Sequence, residues 1–172
     1  MSTDALVIDF VEAALSDSRR AEEMLASYPE IAGADLSSAL VLGDLEHVRR
    51  ALDETPGAVR APGGPRRWEP LLYVCFSRFA NGKSSRAGQL IAAGLNNNPA
   101  LALALLEAGA RPNDSESLYH STEHNDMACL KLLLEHGAEP AGSNALKHIL
   151  DREHLDCQRL LLAAGATIPA QD

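Results

Sequence analysis

Apolar residues recur three and four positions apart in short runs, and a glycine follows each run in the C-terminal half of the chain. Met127, Leu130, Leu133 and Leu134 fall on one face of a helix. Gly137 stands where a left-handed residue ends such a helix without a Cβ penalty. The pattern repeats. Leu105-Leu106-Glu107-Ala108-Gly109-Ala110 returns as Leu133-Leu134-Glu135-His136-Gly137-Ala138 and as Leu161-Leu162-Ala163-Ala164-Gly165-Ala166, with the Gly-Ala pairs 28 residues apart. The same shift aligns Leu90, Leu118 and Leu146. Each of these opens a helical stretch that breaks near Asn96-Asn97-Asn98, Asn125-Asp126 and Glu153-His154. Each unit therefore predicts two helices and a turn. Further helical patterns run over Val7 to Leu15 and Arg19 to Tyr28.

Composition supports helices over sheets. Of 172 residues, 46% are hydrophobic, enough for a continuous core, and only 4% are aromatic. Ala and Leu dominate while β-branched residues are sparse, so an all-α fold is expected. The formal net charge of −9 would repel a phosphate backbone and forfeit counterion release, which argues against a nucleic-acid partner. The N-terminus has no basic region, and no apolar run approaches the roughly 20 residues that span a bilayer. A cytoplasmic protein is expected. Cys75, Cys129 and Cys157 form no C-x-x-C pair, which suits a reducing compartment.

The repeating unit resembles the ankyrin repeat, whose pattern runs T-P-L-H-x-A-A-x-x-G-x-x-x-x-V-x-x-L-L-x-x-G-A. From Asp35 to Leu52, the residues Leu36, Ala39, Gly43, Leu45, Glu46, Val48 and Leu52 fall on its positions, and Glu69 to Cys75 looks like another T-P-L-H-x-A opening. The N-terminal stretch resembles a degenerate capping repeat. Trp68 to Arg78 is also similar to a Trp-x-x-Leu-x-Tyr-x-Cys-Phe-Ser-Arg segment of a narrower set of bacterial ankyrin-repeat proteins. The resemblance implies one domain over residues 1–172, a solenoid of stacked helix-turn-helix units. Their approximate bounds are 4–33, 34–65, 66–86 (irregular), 87–114, 115–142 and 143–172. The usual period is about 33 residues, so the 28-residue units predict hairpin fingers shortened to turns. Leu71 and Leu90 each open a first helix only 19 residues apart, which predicts an irregular unit around Asn81 to Arg86 with a shortened or missing second helix.

The resemblance further implies a protein or peptide partner on a concave face built from the inner helices. Carried over by alignment, the partner-facing pairs are Val41 and Leu42, Leu95 and Asn96, Glu123 and His124, and Asp151 and Arg152. They run from apolar to charged along the stack. No catalytic residue, cofactor or metal is expected.

Two other readings stay open. His120-Ser121-Thr122-Glu123-His124 has the H-x-x-E-H spacing of an inverted zinc-protease motif, and His148, one unit along, offers a third ligand. A catalytic zinc needs a shielded cleft, whereas this segment falls on a shallow inner helix. The chain also reads as a piece of a longer solenoid or a homo-oligomer, since terminal repeats need a polar outer face. Cys129 and Cys157 occupy equivalent positions, but helices stacked about 8–10 Å apart exceed the ~7 Å disulfide limit, so both are expected as buried thiols. Trp68, Tyr73, Phe76 and Phe79 form a cluster expected to fill the gap at the irregular unit. Gly63-Gly64-Pro65 lacks the Lys-Ser/Thr of a phosphate loop, and no nucleotide role follows.

Overall fold

The computed structural model describes residues 2–77, 98–114, 116–123, 127–152 and 154–167. Ten α-helices occupy these segments: α1 (Thr3–Ser16), α2 (Ser18–Ser27), α3 (Leu36–Leu42), α4 (Leu45–Glu54), α5 (Pro70–Phe76), α6 (Pro99–Glu107), α7 (Ser117–Ser121), α8 (Ala128–Glu135), α9 (Ala145–Leu150) and α10 (Leu155–Ala163). Two 3-10 turns, Pro29–Gly33 and Pro56–Arg60, follow α2 and α4. The one β-bridge among the described residues joins Gly63 to Trp68.

Helices pack as neighbours in sequence and then as layers. The hairpin pairs are α1 with α2, α3 with α4, α5 with α6, α7 with α8, and α9 with α10. Across the pairs, α1, α3, α5, α7 and α9 form one row in which each touches the next, and α4, α6 and α8 form a second. This is the all-helical solenoid that the periodicity predicts. Helix α5 packs directly on both α6 and α7. The segment 78–97 between α5 and α6 includes Phe79, Asn81 to Arg86 and the helix expected from Leu90, and it lies outside the described residues.

Side-chain caps start several of the helices and one recurrent turn ends three of them. Asp35 accepts the Ser38 N–H at 2.7 Å while the Ser38 hydroxyl accepts the Asp35 N–H, a reciprocal box at the start of α3. Asp114 accepts from the Ser117 N–H (2.8 Å) and hydroxyl (2.5 Å) at the start of α7. At the ends of α6, α8 and α10 the residues Gly109, Gly137 and Gly165 adopt φ of 99°, 88° and 95°. The following alanine donates back five residues, Ala138 N to Leu133 O at 2.8 Å, and the glycine donates back three, Gly137 N to Leu134 O at 3.1 Å. This double bond pattern satisfies carbonyls that the helix end would leave open, and it needs the left-handed backbone that glycine adopts without penalty.

The core runs unbroken along the stack. Leu105, Leu133 and Leu161, five residues before each alanine, are fully buried, as are Leu101 and Leu130. Each such leucine contributes about 1.5–3 kcal/mol by leaving water. Cys75, Cys129 and Cys157 are buried, as packing residues should be. Among the described residues the links between α6 and α7 and between α8 and α9 carry no strand pairing. Asn113 closes one of them, donating to Gly137 O at 3.1 Å and accepting from Glu139 N at 2.8 Å.

Candidate functional site

Helices α5, α7 and α9 of the first row carry aromatic and imidazole rings that touch one another. Trp68 ends the small hairpin before α5, Phe76 ends α5, Tyr119 and His120 lie on α7, and His148 lies on α9. Their ring centroids are 5.1 Å apart for Trp68 and Phe76, 4.1 Å for Phe76 and His120, 4.9 Å for His120 and Tyr119, and 4.5 Å for Tyr119 and His148. Tilted and edge-on contacts in this range set ring edges against ring faces and are favourable. A strip of rings thus crosses three successive helices of the row, α5, α7 and α9.

The hairpin places the first ring. Gly63 N donates to Trp68 O at 2.9 Å, and the Tyr73 hydroxyl donates to Gly63 O (2.9 Å) while accepting from Arg66 N (3.1 Å). Gly64 sits at φ 63°, with the Tyr73 oxygen 2.7 Å from where a Cβ would stand. The Gly-rich run serves this turn. The Arg66 guanidinium makes a two-pronged ion pair with Glu12 of α1, the shorter contact 2.8 Å, and lies 4.8 Å from the Trp68 ring and 5.6 Å from the Phe76 ring. One cation therefore ties α1, the hairpin and the aromatic strip together. Trp68 touches both Tyr73 and Phe76, whereas Phe79 and the gap that the cluster is expected to fill lie outside the described residues. The cluster's continuation through Tyr119, His120 and His148 does not follow from those residues.

Next to the strip, Glu116, Asn144, Lys147 and Asp151 surround Tyr119 and His148 in an open groove of about 490 Å³. His120 is nearly buried, and both ring nitrogens face carboxylates: Nδ1 lies 3.1 Å from Glu123 and Nε2 3.6 Å from Glu116. The His148 Nε2 is buried without a hydrogen-bond partner. Burial, with the Arg152 cation nearby, holds the His148 imidazole below its usual pKa. Burial pushes the Cys75 thiol up to about 12, so it is not a nucleophile at neutral pH.

The sequence-based site residues do not fare alike. Val41 is a core residue, 2% exposed, so its side chain cannot face a partner. The position was aligned as variable surface, but α3 is a single short helix packed between α1 and α5. Leu42 is half-buried and packs against the same core. Glu123 turns its carboxylate to His120, Asp151 borders the groove, and the exposed Arg152 donates to Glu123 O at 3.0 Å. Leu95, Asn96 and His124 lie outside the described residues. Of the H-x-x-E-H residues, His120 meets Glu123 instead of a common centre with His148, whose ring rests on Tyr119. Among the described residues no group of three or more His, Cys, Asp or Glu is placed to hold a metal ion, and no helix is long and apolar enough to cross a membrane.

Neither a curated protein nor a solved structure matches this chain. Ankyrin repeats in general are protein–protein interaction modules, typically without enzymatic activity. Residues 90–172, the stretch that carries all three Gly-Ala turns, match the family model described as ankyrin repeats, in three copies.

Proposed function

We propose that this chain is a non-catalytic, cytoplasmic protein-binding module whose partner lies along the inner row across α5, α7 and α9. The observation that carries the reading is the ring strip from Trp68 to His148 beside a groove bordered by Glu116 and Asp151. Half-buried aromatic rings supply apolar contact at low entropic cost, and flanking carboxylates set register and orientation. With a chain charge of −9, the fitting partner is a protein or peptide of basic or mixed surface. Leu42, Glu123, Asp151 and Arg152 belong to this face, with Glu123 acting through His120.

The test uses the partner captured from the native host. Reversing Glu116 and Asp151 together to Lys is expected to weaken binding at least tenfold, about 1.4 kcal/mol. Association should slow as salt rises, and the melting temperature should stay unchanged. Glu123 is left intact because its carboxylate is the nearer of the two that face His120, at 3.1 Å against 3.6 Å, and is only 13% exposed where Glu116 is 58% exposed. Normal binding by the double variant, with loss of binding on changes in α4 or α8, would place the partner on the other row.

A further inference from the structure

Arg66 shows what the ring strip holds at its first end. Its guanidinium reaches the Glu12 carboxylate at 2.8 Å and lies 4.8 Å from the Trp68 ring and 5.6 Å from the Phe76 ring. A planar cation suits such a place, because it stacks on a ring while its fork of N–H donors meets a carboxylate. The other end of the strip, between α7 and α9, has rings and carboxylates but no arginine among its described lining residues. Half-buried Tyr119 and His148 line the open groove there, together with the exposed carboxylates of Glu116 and Asp151. Arg152, next in sequence to Asp151, donates instead to Glu123 O at 3.0 Å.

Charge and room favour the same occupant. A second groove of about 370 Å³, lined by Asn113, Glu139 and Ser143, shares Glu116 and Asn144 with the first, so the two run on from each other. Along both, the carboxylates of Glu116, Glu139 and Asp151 stand against the ammonium of Lys147. Among the described residues neither Glu139 nor Asp151 has an ion-pair partner. The channel is therefore negative, and rings that exclude water on one side strengthen its pull on a cation.

We propose that the groove between α7 and α9 is a guanidinium site that takes one arginine side chain from an extended segment of the partner. The guanidinium meets the Tyr119 ring and the Glu116 and Asp151 carboxylates, and the partner's main chain follows the second groove towards Glu139. This rests on the reading that the partner lies along the inner row, and it names the side chain that anchors it. Arginine is preferred to lysine because an ammonium is a compact, strongly hydrated charge with no plane to set on a ring. An acidic side chain is rejected by the carboxylates that line the channel. Lys147 opposes the same cation and so tempers the affinity.

Magnetic-resonance titration of the 172-residue chain with N-acetyl-arginine amide tests the site. The ring resonances of Tyr119 and His148 are expected to shift and saturate with a Kd on the order of 1 mM, weak because the probe supplies one side chain. The lysine analogue should bind at least about threefold more weakly, and the uncharged citrulline analogue should leave both rings unmoved. E116Q/D151N should lose saturation, Lys147→Gln should tighten the probe roughly twofold, and Glu54→Gln, at an exposed carboxylate of α4, should change nothing. All four side chains are exposed, so the helical circular-dichroism signal should be kept in every variant. Shifts that grow linearly for arginine and lysine alike, shifts that survive in E116Q/D151N, or shifts confined to Trp68 would each overturn the proposal. A captured partner that releases E116K/D151K while the probe fails to saturate keeps the inner-row reading and overturns the guanidinium site. Saturation by the probe, with that partner indifferent to E116K/D151K, keeps the site and removes the inner-row partner.

Discussion

Residues 98–167 and residues 2–77 stack helices in the same way but hold them by different means. In the first region one set of local contacts is used three times: a glycine turn, an alanine that donates back across it and a buried leucine five residues earlier. In the second, single contacts between distant residues do the fastening. Glu12 meets Arg66, Tyr73 meets Gly63, and Ser77 donates to Val41 O at 3.1 Å. Repetition gives the first region the same turn three times, and side chains from earlier in the chain add to two of them, Arg60 donating to Gly109 O at 2.6 Å and Asn113 to Gly137 O at 3.1 Å. The second depends on side chains that have no equivalent elsewhere, and those are the ones that shape the aromatic strip.

The largest effect is expected where repetition is densest. Leu133→Ala removes a fully buried side chain shared between adjacent units and should cost roughly 2–5 kcal/mol in chemical denaturation. Leu162→Ala, at the half-exposed neighbour of Leu161, the residue equivalent to Leu133, should cost less than about 1 kcal/mol. Similar losses at both sites would mean that position 162 is packed like a core position, and the contrast between the buried and exposed faces of these helices would fail.

The two kinds of glycine come next. Gly137 has φ 88° and nothing within 4 Å of an added Cβ, so Gly137→Ala should cost only the left-handed backbone penalty of about 1–2 kcal/mol. Gly64 adds a collision to the same penalty, because its Cβ would stand 2.7 Å from the Tyr73 oxygen and 2.8 Å from the Ser37 Cβ. Gly64→Ala should therefore lose more stability than Gly137→Ala, and it should shift the Trp68 fluorescence as the hairpin moves. Equal losses with an unchanged spectrum would show that the hairpin yields freely.

What the sequence makes legible follows the same division. The helices from Pro99 to Ala163, their glycine stops and the buried Leu105, Leu133 and Leu161 can be read by shifting the sequence 28 positions against itself. The burial of Val41 cannot, because the alignment gives a residue's place in its unit but not how closely its neighbours pack. The ring strip is legible only in part. The same shift carries Tyr119 and His120 onto Lys147 and His148, yet nothing in spacing brings Phe76 to His120, since these meet across the α5 and α7 layers at 4.1 Å. The Glu12–Arg66 pair spans 54 positions without a repeat to announce it.

That ion pair offers a smaller effect. The two side chains are 41% and 31% exposed, so solvent screens them and the pair alone is worth about 0.2–1 kcal/mol. Arg66→Ala also removes the cation over Trp68 and Phe76, adding roughly 0.5–1 kcal/mol at such a site. Arg66→Ala should therefore cost more than Glu12→Gln, and only the ion-pair part should fade in high salt. If the two variants lose the same stability at every salt concentration, the guanidinium is not supporting the rings and the N-terminal region is held by packing alone.

The smallest effect comes from the one place where the C-terminal region departs from its own regularity. His148 rests on Tyr119 with Nε2 buried and unpartnered, and burial first, then Arg152, disfavours its charged form, while Glu123 and Asp151 favour it less strongly and His120 adds to the opposition. Its folded pKa is therefore depressed, whereas in the unfolded chain it titrates near the usual ~6.5. Between those two values the unfolded chain binds the extra proton, so the neutral ring stabilises the fold above about pH 6.5, and that contribution is lost as pH falls towards the lower folded value. His148→Gln carries no such proton. From pH 7.5 down to 5.5 the wild type should lose more melting temperature than the variant, by no more than about 2–4 °C, the shift that ~1 kcal/mol gives in a domain of this size. Proton resonances of the His148 ring should titrate below those of an exposed histidine. Parallel pH profiles in wild type and variant would mean that the groove keeps the imidazolium as comfortably as water does, and that the seam between α7 and α9 is as indifferent to charge as the exposed turns.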